Sequence, residues 1–109
     1  MQLSNVGPVI ARRKLTLSGN TTVSVIIGKP KRFPDGNGCY CPYQILGLDS
    51  ERVSFAAGGD SVQAIMLTFQ AIGSVLYTSQ AAREGLLTWN SSRALGFPVP
   101  DLLRDLLPP

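Results

Sequence analysis

Hydrophobic and polar residues alternate along the first half of the chain and recur every three or four residues later on. From Val9 to Leu17, the residues Val9, Ala11, Leu15 and Leu17 form one row, and Ile10, Arg12, Lys14 and Thr16 form the other. Arg13 interrupts the apolar row. A period of two predicts a strand. Ser18-Gly19-Asn20 turns the chain, and Thr21 to Ile27 alternates again, so the pair predicts a hairpin. Cys39 to Leu48 predicts a third strand with Cys39, Cys41, Tyr43 and Ile45 on one face, and Pro42 marks an edge or a bulge. After Asp49-Ser50, Glu51 to Phe55 predicts a short fourth strand with Val53 and Phe55 inward. Leu86 to Trp89 predicts a fifth.

The pattern changes at Gly58-Gly59. Asp60 followed by Gln63 has the spacing of a capping box, and a helix is expected from Ser61 to Gln80 or Glu84, stopped by Gly85. Val62, Ile65, Met66, Phe69, Ile72, Gly73 and Leu76 form its stripe. Ala64, Leu67, Ala71 and Val75 widen it, and no charged residue stands between Ser61 and Ala82. Such a helix is either buried on two sides or paired with another subunit. Gly73 lets a neighbouring backbone come close. Asp101 opens a short leucine-rich helix, Leu102 to Leu107, which is too short to persist undocked.

Together these elements predict an α+β fold. It is an antiparallel meander of four to five strands, with one long helix packed on one face and a short C-terminal helix. The chain makes one domain, residues 1–109. Residues 1–8 form a flexible lead, 28–38 a long basic loop broken by glycines and prolines, and 101–109 a short helical tail. The expected core is Val23, Val25, Ile27, Tyr43, Ile45, Val53, Phe55, Ile65, Phe69, Ile72, Leu76 and Trp89.

Composition narrows the function. The 109 residues include no His and only two Cys, and charged residues make up 16%. The acids are scattered and no serine sits in a nucleophile elbow, which points away from catalysis. Cys39 and Cys41 share a strand face at a separation that strains a disulfide, and zinc lacks two further ligands. Two small buried side chains is the simpler reading, and no cofactor or metal is expected. Sparse cysteines and the absence of an export signal suggest a cytoplasmic setting, and no apolar run reaches membrane-spanning length.

Charge is uneven: residues 1–54 carry seven basic side chains against three acids, residues 55–109 three against four. Arg12, Lys14, Lys29, Lys31 and Arg32 form a candidate basic surface, with Phe33 and Tyr40 nearby. A nucleic-acid-binding module is therefore one reading, set against a plain solvated loop. A pocket between helix and sheet, for a small ligand or an enzymatic role, is another. The charge-free helix favours a non-enzymatic protein-interaction module that self-associates as a homodimer. Its candidate interface is Ala64, Leu67, Ala71, Val75, Leu102, Leu103 and Leu106.

Cys41-Pro42-Tyr43-Gln44-Ile45 with Gly47-Leu48, Gly59-Asp60-Ser61-Val62-Gln63-Ala64, and Leu95-Gly96-Phe97-Pro98 stand in sequence from Val9 to Pro100. This combination resembles a family of small bacterial single-domain proteins of unknown function. The resemblance implies a bacterial origin and a small α+β fold. It brings no activity and no site residue, and the tail after Pro100 lies outside it.

Overall fold

A computed structural model describes residues 1–109. The strands are β1 (Val9–Leu17), β2 (Thr21–Gly28), β3 (Lys31–Arg32), β4 (Cys39–Leu46), β5 (Ser54–Gly58) and β6 (Leu87–Thr88). Between β5 and β6 lie α1 (Ser61–Thr78) and the single turn α2 (Gln80–Arg83); a 3-10 helix (Asp101–Leu106) follows. All pairings are antiparallel, and the fold is α+β. Tyr43 of β4 pairs with Ile27 of β2 on one side and Ser54 of β5 on the other. Across the sheet the order is therefore β5–β4–β2–β1–β6, with β3 resuming the line of β2 beside β4.

Alternation sets the inner face. Leu15, Val23, Val25, Ile27, Cys41, Tyr43 and Ile45 are buried there. Two layers cover it. α1 lies over β4 and β5, and its Ala64, Thr68, Ile72 and Leu76, one turn apart, are buried. The Thr68 hydroxyl donates to the Cys41 carbonyl at 2.9 Å. The rest of the face is closed by the extended segment after β6, whose Leu95 and Phe97 join the core cluster. That segment lies against the second side of α1: the Leu95 amide donates to the Tyr77 hydroxyl at 2.7 Å, and Phe97 meets Phe69 edge-on at 6.2 Å. The backbone that approaches Gly73 is that of Pro98, whose carbonyl occupies the space a β-carbon would need.

Several expectations change. Ala64 is fully buried against the sheet rather than at an interface, because it lies on the same helix face as Thr68, Ile72 and Leu76, close to Gly58 at the end of β5. Val62 and Met66 are exposed instead. Phe55 points outward: β5 starts at Ser54, and its register places Phe55 opposite Pro42, on the face away from α1. There it clusters with Phe33 and Tyr40, ring centroids 5.1 to 6.2 Å apart. Val53 is half-buried outside the core cluster. The segment 28–38 is not wholly loop, since Lys31 and Arg32 pair with Tyr40 and Cys39. The long helix breaks at Ser79, whose hydroxyl caps α2 by accepting from the Ala82 amide at 3.2 Å. Residues 1–8 lie along the outer face, where Val6 is buried and the Pro8 carbonyl accepts from the Lys29 amide at 2.8 Å.

Candidate interaction face

The side of the domain bounded by β5 and α1 is built by local sequence. Glu51 shapes its entry: the Glu51 carboxylate accepts from the Gly47 amide at 2.8 Å, and the Gln44 side chain donates to the Glu51 carbonyl at 2.7 Å. The chain then runs extended as Ser-Phe-Ala-Ala-Gly. At its far end Asp60 caps α1 by accepting from the Gln63 amide at 2.8 Å, while Gln63 accepts from the Gly59 amide at 2.6 Å. This reciprocal box turns the chain tightly, so α1 runs back over the strand it has just left.

β5 pairs with β4 on one side and with nothing on the other. Its free edge carries neither charge nor proline. Beside it, on the flank of α1 away from the C-terminal segment, lie Leu67, Ala71 and Val75, one turn apart. Leu67 is 37% exposed, Val75 42%, and Ala71 half-buried. Their neighbours Gln63, Ser74 and Thr78 are polar but uncharged. Arg52 and Asp60, both exposed, stand at the two ends of the strand. Beneath Val75 a cavity of about 330 Å³ is lined by Tyr43, Ile45, Asp49, Ser50, Arg52 and Ser54. Burial pushes the Tyr43 phenol above its ordinary pKa, against smaller lowering effects from the Ser54 hydroxyl and the Arg52 charge.

Of the expected interface, the structure gathers Leu67, Ala71 and Val75 on this one flank. The tail leucines belong to a separate surface: Leu102 is 96% exposed, Leu106 exposed and Leu103 half-buried on the 3-10 helix. The basic residues do not converge. Arg12 and Lys14 are exposed on the outer side of β1, and Lys31 on that of β3, two strands away in the pairing order β3–β4–β2–β1 and against the Val6–Gly7 segment. Arg32, the next residue along β3, faces the opposite way, and Lys29 sits in the link from β2 to β3. The aromatic side chains near Lys31 pack on one another. Cys41 is buried and Cys39 half-buried, both as free thiols. No group of three or more His, Cys, Asp or Glu converges. By length and apolarity α1 passes for a membrane span, yet a third of it is buried as a core helix.

The sequence reading missed one organising residue. Arg13 lies on the inner face between the layers. Its guanidinium sits 3.8 Å from the centre of the Trp89 ring and 5.0 Å from that of Phe97. It donates to the Gly96 carbonyl at 3.0 Å and the Leu95 carbonyl at 3.4 Å. The signal was present as a cation in an apolar strand row, but its partners lie more than seventy residues away.

Residues 11–99 match a family described as a domain of unknown function, DUF6968, and the chain belongs to that family. The match takes in the Leu95–Pro98 clamp and stops before the 3-10 helix. No curated protein and no solved structure matches the chain.

Proposed function

We propose, starting from membership of the DUF6968 family, that this domain is a non-enzymatic protein-interaction module that docks a protein partner along β5 and α1. One observation carries the reading: an unpaired strand edge without charge or proline lies beside an exposed, uncharged helix flank. Edge strands are normally blunted by charges, prolines or bulges, because their free amides and carbonyls recruit other chains. The opposite edge of this sheet is blunted, since β6 has two residues and the chain then folds on itself through the Trp89–Ser92 bridge. β5 has no such device. A partner strand added there gains main-chain hydrogen bonds, and the Leu67–Ala71–Val75 flank supplies the side-chain recognition.

The test places a photo-reactive amino acid at position 67, and in a control at position 22, an exposed site on the outer face of β2. After irradiation in extract of the source cells, a covalent protein adduct is expected from position 67 and not from position 22. Equal capture at both sites, or none at position 67, overturns the reading.

A further inference from the structure

Arg13 has more donors than the fold uses. Both of its hydrogen bonds leave from Nη1, to the Leu95 and Gly96 carbonyls. A guanidinium carries five N–H groups, so Nε–H and the pair on Nη2 have no protein partner. They are not sealed in, since no buried side-chain nitrogen or oxygen lacks a hydrogen bond. The groups that hold this half-buried cation are all neutral: two carbonyls and the rings of Trp89 and Phe97. Nε and Nη2 form one edge of the fork, and such an edge takes a carboxylate through two parallel hydrogen bonds. Beside Arg13 a cavity of about 170 Å³ opens between Ala11 and Ile27 of the sheet, Phe69 of α1, and Phe97 and Pro98 of the C-terminal segment. We infer that this cavity binds a small aromatic monocarboxylate, its carboxylate on the free edge of Arg13 and its ring among Ile27, Phe69 and Phe97. The site lies across α1 from Leu67, Ala71 and Val75 and stands apart from the docking role.

Charge selects the head group. Arg12 also borders the cavity, and no acid lines it. Asp101, the first acid after this part of the C-terminal segment, lies beyond Pro98 on the 3-10 helix. A half-buried cation with only neutral partners is incompletely compensated, and an incoming anion completes it. The walls select the body. A phosphate would set its further oxygens against the Ile27, Phe69 and Phe97 side chains, which have no donor. A carboxylate places both oxygens on the fork and turns an apolar body towards the rings. Cavities for drug-sized ligands run to about 300–1,000 Å³, so this smaller one suits a single ring. The fork is also held ready. A β-carbon on Gly96 would stand 2.5 Å from Nη1 of Arg13 and 2.7 Å from the Trp89 ring. Glycine there, at a φ of 79°, lets the segment close on the guanidinium. A ligand that meets a fixed fork loses less in ordering it.

The test is titration of the full chain with benzoate, followed by proton–nitrogen NMR correlation spectra and by the emission of Trp89, the only tryptophan. Benzamide, which keeps the ring without the charge, and inorganic phosphate are the comparisons. Benzoate is expected to bind with a Kd of about 1 mM or tighter, shifting the Gly96 amide and the Trp89 indole resonances. Benzamide and phosphate should bind at least tenfold more weakly. Ala11 is exposed and lines the cavity, so Ala11→Phe fills it and leaves Arg13 in place. That variant should lose at least tenfold in benzoate affinity at an unchanged melting temperature. Arg13→Lys keeps the charge without the two-point edge and should also lose about tenfold; if it fails to fold, Ala11→Phe decides. No shift at Gly96 and Trp89 with benzoate in large excess overturns the site. Equal binding of benzamide overturns the carboxylate, and equal binding of phosphate overturns the apolar body. Affinity that survives Ala11→Phe overturns the cavity, and affinity that survives in folded Arg13→Lys overturns the fork.

Discussion

Cys41 shows how one side chain answers to its layer. It lies on the inner face of β4, with its thiol 3.5 Å from the Gly28 carbonyl and Thr68 above it. Burial raises its pKa, and the hydrogen bond with Thr68 lowers it by less. The folded state therefore holds the proton more tightly than the unfolded chain does. Stability from this thiol is complete below the ordinary thiol pKa and is lost as pH climbs towards the raised one. Tyr43, shifted in the same direction, adds to the loss at higher pH. Thermal melts should be flat through neutrality and fall above about pH 9, and the fall should be shallower in Cys41→Ala. An equally steep alkaline loss in that variant would place the titration elsewhere. Arg13 makes a related point. A cation in an apolar row looked like an interruption, and it is the contact that ties β1 to the C-terminal segment through two carbonyls and two rings.

At the level of elements, α1 is defined by its caps and its period, and both were legible in the chain. Its orientation was not. Apolar residues wrap most of the cylinder, so the sequence pattern leaves several faces open to the sheet. Packing selected Ala64, Thr68, Ile72 and Leu76, and the C-terminal segment took the side of Phe69, Gly73 and Tyr77. Gly73 measures that second contact. A methyl group there overlaps the Pro98 carbonyl and stands 3.2 Å from a Val99 methyl. Gly73→Ala, which improves helix propensity by roughly 1 kcal/mol in isolation, should instead destabilise the domain by about 1–3 kcal/mol. Chemical denaturation decides the sign. A stabilised variant would mean that the segment moves away from the helix at little cost.

Across the whole molecule the charges are arranged for two different surroundings. The outer face carries Arg12 and Lys14 on β1 and Lys31 on β3, two strands apart in the pairing order, and the N-terminal segment, with its Val6 buried, lies against Lys31. Phosphate binding grows with the number of cations that act together, and here they do not. Single-stranded oligonucleotides should therefore show no binding by fluorescence anisotropy at physiological salt, and removing the charges of Lys29, Lys31 and Arg32 should change nothing. Firm binding that those substitutions weaken would shift the functional reading to nucleic acid. On the β5–α1 side the helix itself is bare of charge over about 27 Å, and the charges lie beyond the ends of β5, with Asp49, Glu51 and Arg52 before it and Asp60 after it. That side lies at the edge of the sheet, where strand pairing is still open.

What the amino-acid sequence determined by itself is the local record. The alternation of β1, β2 and β4, the capping box at Asp60 and the period of α1 follow from backbone geometry and from near neighbours. The tertiary structure alone decided contacts between distant residues. It set the parity of β5, which turned Phe55 outward, because a strand's faces depend on the partner it registers with. It chose the face of α1 and gave Arg13 its partners. It added Lys31 and Arg32 to the sheet and left one strand edge open beside the uncharged flank of the helix. Periodicity specifies which residues share a face; only packing specifies what that face meets.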